Sequence, residues 1–209
     1  MNLERSAHDI SVVLFDLGRV LVNIDFEAFP RALGLVRNAT NRTDEVSIEK
    51  MVAAYETGQM ETKEFFDGLD NIFRHQYSRT QLVDAWNAII GEENLSIVPI
   101  VEAIQKSYDT ALLSNTNPSH IQKAMATSPM IRQIKKRFLS FEMGAMKPEP
   151  AVYRYVIRHL SVEPSSILFV DDIAENIRSA EQCGMMGIIF RDTSQLKEDL
   201  ILRGLLHLS

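Results

Sequence analysis

Residues 12–21 read VVLFDLGRVL, an apolar run that ends at Asp16 and continues through a turn that contains Gly18. A short run of this kind, β-branched and without alternation, is typical of a strand covered on both faces in a parallel sheet. A carboxylate at the end of such a strand is suited either to capping a turn or helix start or to chemistry. The stretch alone does not choose between these roles, so the choice depends on whether the chain repeats the arrangement.

Strand and helix alternate along most of the chain. Further apolar runs predict buried strands at residues 111–113, 167–170 and 187–190, and a weaker run predicts a fifth strand at 138–141. Helical segments are predicted at residues 99–106, 150–160 and 173–183. The alternation predicts an α/β fold with a doubly wound, mainly parallel, Rossmann-like sheet.

Residues 25–95 have a different pattern, with helical periodicity and no convincing buried strand. The predicted helices cover residues 26–35, 48–56, 62–73 and 80–89. Within them, the spacing of Trp86 and of Phe65, Phe66 and Phe73 favours a helix-packing core over a ligand-stacking role. We therefore predict an α/β core domain of residues 1–24 and 96–209, and an inserted all-helical cap domain of residues 25–95.

Composition limits the classes of protein to consider. The chain has 209 residues, 45% of them hydrophobic, and a formal net charge of -6 without a block of like charges. These values predict a globular protein that does not bind nucleic acid. Cys183 is the only cysteine, so no intrachain disulfide forms. The chain start lacks a signal-peptide pattern and no apolar run reaches membrane-spanning length, which predicts a cytoplasmic protein without a membrane partner. The oligomeric state stays open.

Polar residues follow three of the predicted strands where each strand ends. Asp16 follows the first, Ser114 and Asn115 follow the second, and the pair Asp171 and Asp172 follows the third. The carboxyl ends of parallel strands meet at one edge of a sheet, where ligands bind in this class of fold. Carboxylates this close together would repel one another without a cation, and a hard divalent ion such as Mg2+ prefers oxygen ligands. The sequence therefore predicts a magnesium site at this edge.

Lys147 supplies a candidate cation just before a predicted helix. Pro148 follows it and restricts its backbone to an extended conformation, which gives the side chain a defined direction. Taken alone, this residue is better explained as a solvated surface lysine than as part of a site.

Together these motifs resemble those of the haloacid dehalogenase superfamily, in the same order. They are FDLGRVL from Phe15, LSNTN from Leu113, KPEPAVY from Lys147 and DDIAEN from Asp171. The resemblance spans residues 10–190 and implies that family's Rossmann-like fold. The helical insert after the first motif resembles the small cap of the subgroup that includes sugar-phosphate phosphatases. The motif phrases are most similar to bacterial glucose-1-phosphate phosphatases and to the phosphatase domain of epoxide hydrolases.

The resemblance implies a Mg2+-dependent phosphatase that acts on a small phosphorylated metabolite, most simply a sugar phosphate. Asp16 would attack phosphorus and form an aspartyl-phosphate that water later releases. Mg2+ would be held by Asp16, the main-chain carbonyl of Gly18 and Asp172, with Asp171 as a direct or water-mediated neighbour.

The resemblance also implies which residues hold the phosphoryl group. Ser114, Asn115 and Lys147 would bind it, and Lys147 would offset charge between it and Asp16. Asn176 would not touch the phosphoryl group but would orient either Lys147 or the pair Asp171 and Asp172 by hydrogen bonding.

Gly18 departs from the pattern of the resembling phosphatases. Most of them have a second aspartate at this position, which protonates the leaving oxygen and then activates water. Asp25 is the candidate substitute, although it is more simply explained as the N-cap of the next helix. Asn23, Asp25 and Phe26 are also the candidate substrate contacts, because they are the cap residues nearest to Asp16 in the chain.

Two other functions are compatible with parts of the sequence. A metal-independent haloacid dehalogenase would need no acid at Gly18, but it would leave Asp171 and Asp172 unneutralised beside an anionic substrate. A non-catalytic module that binds phosphate ligands would explain the missing acid, but not the retention of Asp16, Lys147 and both acids.

Overall fold

The computed structural model describes residues 10–35 and 42–207. Its strands are β1 (Val12–Phe15), β2 (Val22–Ile24), β3 (Ile90–Glu93), β4 (Asp109–Ser114), β5 (Lys136–Leu139), β6 (Ile167–Asp171) and β7 (Met186–Ile189). Its helices are α1 (Ala28–Ala32), α2 (Arg42–Glu56), α3 (Thr62–Ile72), α4 (Arg79–Asn87), α5 (Val98–Ile104), α6 (Pro118–Thr127), α7 (Pro129–Gln133), α8 (Ser140–Met143), α9 (Pro150–Leu160), α10 (Ala174–Gln182) and α11 (Thr193–Leu202).

Five strands form one parallel sheet in the order β5-β4-β1-β6-β7. β1 lies at its centre, and Leu14 is opposite Ala111 on one side and Phe169 on the other. Alternate residues of β1 pack into two separate hydrophobic cores, Val13 into one and Leu14 into the other. Because both faces are covered, the strand is apolar without alternation, and the predicted doubly wound α/β sheet is confirmed.

The fifth strand was predicted two residues too late in the chain. β5 begins at Lys136, and residues 140–143 form the short helix α8 instead. β5 is the edge strand of the sheet, and Lys136 pairs across it with the carboxylate of Asp109 at 2.9 Å. Charged side chains are common on such edges, so this strand starts without the apolar signal that marks a central strand.

Helices α1 to α4 surround an aromatic cluster of their own. Tyr55 stacks on Phe65 with ring centroids 4.5 Å apart, and Trp86 lies 4.7 Å from the same Phe65 ring. Phe66 and Phe73 are buried in this cluster as well. The predicted helical segment thus forms a packed layer above the carboxyl ends of the sheet strands. The division of the chain into a core domain and a cap domain stays a prediction.

The prediction that residues 25–95 contain only helices is wrong near the C-terminal end of this segment, where residues 90–93 form strand β3. β3 pairs there with β2 in an antiparallel ribbon, with Ile90 opposite Ile24. Only Ile90 of the four β3 residues is buried, so the strand carries no hydrophobic pattern that could reveal it. A side chain at Gly91 would place its Cβ 3.1 Å from the carbonyl oxygen of Asn23, so glycine permits the close approach of the two strands.

None of the helices that the structure describes combines the length and the apolar character needed to cross a membrane.

Leu69→Ala tests whether the helical cluster contributes to stability. Leu69 is fully buried there, so we expect the free energy of unfolding to fall by about 2–5 kcal/mol in urea denaturation. The matched control is Leu95→Ala, because Leu95 is 74% exposed, and it should change stability by less than about 0.5 kcal/mol. Equal effects of the two substitutions would contradict the described packing.

Candidate active site

Three carboxylates meet at the carboxyl edge of the sheet. Asp16 follows β1 directly, Asp171 is the last residue of β6, and Asp172 comes next. One carboxylate oxygen of each residue lies within 4.8 Å of one oxygen of each of the other two. Ser114, the last residue of β4, lines the same cavity. Adjacent parallel strands thus bring Asp16 together with Ser114 and Asp171, which lie 98 and 155 positions later in the chain.

Lys147 is buried between two of these carboxylates. Its Nζ donates to Asp16 Oδ1 at 2.6 Å and to Asp171 Oδ2 at 2.7 Å, and its side chain is only 2% exposed. Burial alone would lower the pKa of this ammonium, but the two carboxylates outweigh it and hold the pKa above its ordinary value. Lys147 is therefore a charged member of the cluster and not a surface lysine.

Asn115 holds the backbone of Lys147 in place. Its Oδ1 accepts from the Lys147 N–H at 2.8 Å, and its Nδ2 donates to the Lys147 carbonyl at 2.9 Å. The next carbonyl, of Pro148, accepts from Ser179 Oγ at 2.6 Å. The side-chain amide of Asn115 is thus already engaged with the loop, a role that the sequence did not indicate.

Asp171 has a different environment from Asp172. Asp171 is fully buried and accepts from the Ile173 N–H at 2.8 Å and from Asn176 Nδ2 at 3.0 Å to each oxygen, in addition to Lys147. Asp172 is partly exposed, and Arg19 lies 3.5 Å from its Oδ2. The Asp172 carboxylate is therefore the freer of the two, whereas Asp171 supports the lysine.

The donor set fits Mg2+. It consists of carboxylate oxygens of Asp16, Asp171 and Asp172, which are the hard oxygen ligands that this ion takes, and Gly18 lines the cavity beside them. Three carboxylates against the single ammonium of Lys147 leave an excess of negative charge, and Arg19 offsets it only in part because its side chain is 57% exposed. A divalent cation would balance the remaining charge.

A cavity of about 450 Å³ opens above the cluster. Its floor carries Asp16, Ser114 and Lys147 from the sheet edge. The wall opposite comes from the helical segment and from β3, and is formed by Phe26, Phe29, Val52, Glu56, Trp86, Ile89 and Ile90. This volume suits a small ligand, and most of the wall is apolar.

Of the three candidate substrate contacts, only Phe26 lines this cavity. Its ring is 64% exposed and lies 5.7 Å below the guanidinium of Arg19. Asn23 is exposed on β2 and is not among the lining residues. Asp25 is exposed as well, and it accepts from the Glu27 N–H at 3.0 Å and pairs with Arg31. The hydrogen bond from Arg31 lowers the pKa of Asp25, so this carboxyl is a poor proton donor. The N-cap of α1 is Glu27, so the N-cap role expected for Asp25 is wrong, and Asp25 instead closes the turn before the helix.

Gly18 lies close to the side chain of Ile24. A Cβ built at Gly18 would lie 3.1 Å from Cγ1 of Ile24, which itself lines the cavity, so a side chain at position 18 would require Ile24 to move by a few tenths of an ångström. The residue next to the position that carries an acid in the resembling phosphatases is thus apolar.

Glu56 is the site residue that sequence reasoning missed. It is the last residue of α2, it lines the cavity, and its carboxyl forms a hydrogen bond with Asn117. Burial raises the pKa of Glu56 from its ordinary value of 4.5 to about 7, against the opposing effect of that hydrogen bond. Glu56 follows Val52 by four residues, so the two side chains lie on one face of α2, and both line the cavity, but the sequence carries no signal that this face meets the sheet edge.

Asn117 belongs to a buried polar network. His120 Nε2 lies 3.0 Å from the carbonyl of Trp86, so Nε2 carries the proton and donates it. The other ring nitrogen, Nδ1, then accepts from Asn117 Nδ2 at 3.1 Å. Burial lowers the pKa of His120 to about 4, so the ring is neutral near pH 7. The His120 ring also stacks on Trp86, with ring centroids 4.7 Å apart.

Residues 10–184 match the family described as haloacid dehalogenase-like hydrolase. The chain belongs to this family. The predicted superfamily and fold are thereby confirmed, and the protein is a hydrolase.

One relative of known activity and two solved structures are similar to this haloacid dehalogenase-like hydrolase. The chain is 30% identical to a D-ribitol-5-phosphate phosphatase of Bacteroides thetaiotaomicron, over 84% of this chain and 89% of that protein. A crystal structure of a family enzyme from the same organism, in complex with magnesium and inorganic phosphate, is 26% identical with a TM-score of 0.80, covering 90% of this chain and 98% of that one. An L-2-haloacid dehalogenase of Xanthobacter autotrophicus shares the fold at 17% identity, with a TM-score of 0.60, over 94% and 86% of the two chains.

The raised pKa of Glu56 predicts a pH-dependent contribution to stability. Between about pH 5 and 7 the folded protein keeps a proton that the unfolded chain has released, so this residue destabilises the fold increasingly as pH rises. The free energy of unfolding of the wild type, relative to Glu56→Gln, should fall by on the order of 2 kcal/mol from pH 5 to pH 8.

The comparison uses urea denaturation of both proteins across this pH range, with Glu49→Gln as control. Glu49 is exposed on the same helix, so its substitution should leave the pH dependence unchanged. A constant difference between the wild type and Glu56→Gln would contradict the described burial of Glu56.

Proposed function

We propose that this hydrolase is a Mg2+-dependent phosphatase that releases inorganic phosphate from a small phosphorylated metabolite. The observation that carries the proposal is the buried contact of Lys147 with Asp16, beside the freer carboxylate of Asp172. An ammonium next to a carboxylate nucleophile is suited to a dianionic phosphoryl group. The relative that is a ribitol-phosphate phosphatase, and the similar structure that contains magnesium and phosphate, support this reading.

In this reaction an oxygen of Asp16 attacks phosphorus, and the bond from phosphorus to the leaving oxygen breaks. The resulting aspartyl-phosphate is then hydrolysed by water at phosphorus, which restores the Asp16 carboxylate. Lys147 and the hydroxyl of Ser114 hold the phosphoryl oxygens, and Lys147 also keeps Asp16 oriented. Asn115 and Asp171 act through Lys147, since they fix its backbone and its ammonium.

Asp16, Asp172 and the carbonyl of Gly18 would hold Mg2+. When bound, the ion supplies positive charge that offsets the charge of the phosphoryl group. Asp171 would contribute mainly through Lys147 and Asn176, because its oxygens already accept several hydrogen bonds.

For the substrate we propose the phosphate of a compact sugar or polyol. The cavity of about 450 Å³ suits a leaving group of this size, and the ribitol-phosphate phosphatase relative supports the class. A panel of phosphorylated metabolites, scored by phosphate release, should give its highest kcat/KM values with sugar and polyol phosphates. Preferential hydrolysis of nucleotides or phosphopeptides would contradict this choice.

A dehalogenase function is less well supported. Likeness to the Xanthobacter enzyme extends to the fold alone. In this site the three carboxylates exceed the single buried ammonium of Lys147, so the excess negative charge would repel an anionic haloacid. Chloride release from a 2-haloacid in the presence of EDTA would favour the dehalogenase. A module that only binds phosphate ligands would bind a sugar phosphate without turning it over.

Asp16→Asn tests the proposed chemistry. Loss of the nucleophile should lower Mg2+-dependent phosphate release from an activated aryl phosphate by at least about a thousandfold. EDTA should abolish the activity of the wild type. The control is Asp109→Asn, because Asp109 is exposed at the other end of β4, and it should retain activity. Phosphate release by Asp16→Asn at the wild-type rate would contradict the proposal.

A further inference from the structure

We propose that Glu56, on the helical wall of the cavity, donates the proton to the leaving oxygen and later activates water, in place of the acid that position 18 lacks. This inference rests on the phosphatase function proposed above. It assigns the acid and base of the reaction to the helical segment, whereas the nucleophile comes from the sheet.

The position of Glu56 is fixed from two sides. The neighbouring residue, Tyr55, is fully buried, and its hydroxyl lies 2.8 Å from Ser119 Oγ. This hydrogen bond joins the end of α2 to the start of α6. Glu56 itself forms a hydrogen bond with Asn117, three residues after Ser114. The carboxyl is therefore tied to the loop that carries the phosphoryl-binding hydroxyl and faces the same small cavity.

Asn117 is a rigid partner for this carboxyl. Its Oδ1 accepts from the His120 N–H at 3.0 Å and caps α6, and its Nδ2 donates to His120 Nδ1. The side chain of Asn117 also forms a hydrogen bond with Glu56, which opposes the larger effect of burial on the pKa of that carboxyl. The structure shows no ion pair for Glu56 among the described residues.

The other titratable or charged groups on the described cavity wall do not meet the requirement. Asp16 is the nucleophile, and Asp172 is paired with Arg19, whose guanidinium does not give up a proton. Lys147 donates hydrogen bonds to two carboxylates, which hold its pKa above the ordinary value and keep it protonated. His120 is neutral with both ring nitrogens engaged.

Burial raises the pKa of Glu56 into the range that suits a general acid near neutral pH. Its pKa of about 7 keeps a substantial protonated fraction near neutral pH, and general acids work best when their pKa lies near the working pH. A neutral carboxyl also avoids repulsion with the phosphoryl group bound on the opposite side of the cavity.

The proton balance closes over the two steps. As the bond from phosphorus to the leaving oxygen breaks, Glu56 gives its proton to that oxygen and becomes a carboxylate. The carboxylate then takes a proton from the water that attacks the aspartyl-phosphate, which regenerates the protonated Glu56 and releases phosphate.

Two substrates that differ in the leaving group test the inference with Glu56→Gln. An alkyl phosphate needs protonation of its leaving oxygen, so its turnover should fall by about a hundredfold to ten-thousandfold. The leaving oxygen of an activated aryl phosphate needs no protonation, so the transfer of its phosphoryl group to Asp16 should persist in Glu56→Gln. This variant should then release a burst of one phenol per active site at near the wild-type rate, followed by slow turnover, because water activation is lost.

Controls separate this inference from the proposed function. Glu49→Gln should match the wild type on both substrates, and a urea denaturation curve verifies that Glu56→Gln is folded. Turnover of the alkyl phosphate by folded Glu56→Gln within about threefold of the wild type would overturn the role of Glu56 and leave the phosphatase intact. A burst that persists in Asp16→Asn, or the absence of any phosphate release by the wild type, would overturn the phosphatase itself.

Discussion

The buried ammonium of Lys147 lies between the carboxylates of Asp16 and Asp171, and the rest of the active site is arranged around this contact. An unpaired charge in the interior is costly, so each member of the cluster depends on the others. Asn115 fixes the lysine backbone, and Asn176 fixes the Asp171 carboxylate. The negative charge left over is concentrated toward Asp172, where an added divalent cation would be favoured.

The sequence was most informative where the sheet determines the position of a residue. Strand β1 could be predicted because both of its faces are buried, and Asp16, Ser114 and Asp171 could be placed at one edge because parallel strands end together. The sequence was uninformative where tertiary contacts decide. Lys147 has the pattern of a surface residue, and its burial depends on a loop held by Asn115 from a distant strand.

Tertiary contacts also determine which residues of the helical segment reach the cavity, so the sequence did not predict them. Glu56 reaches the cavity because α2 is rotated so that Tyr55 contacts Ser119, and this rotation follows from packing that helical periodicity alone does not specify. β3 was missed because its burial pattern lacks alternation. If Glu56 supplies the proton, a productive site requires the helical segment to be docked on α6, which links recognition of the leaving group to catalysis. The side chain of Ile24, which lies beside Gly18, is apolar and supplies no acid, so it is consistent with an acid on the helical wall of the cavity.

The covalent intermediate gives the most direct test of the central claim, that the carboxylate held by Lys147 is a phosphoryl acceptor. The wild-type protein is mixed with Mg2+ and an activated aryl phosphate, quenched in acid within the first turnover, and digested for mass spectrometry. We expect one phosphoryl group on the peptide that contains Asp16, and none on that peptide from Asp16→Asn. Rapid release of phosphate during a turnover in which no phosphorylated peptide forms, or a phosphoryl group on another residue, would contradict it.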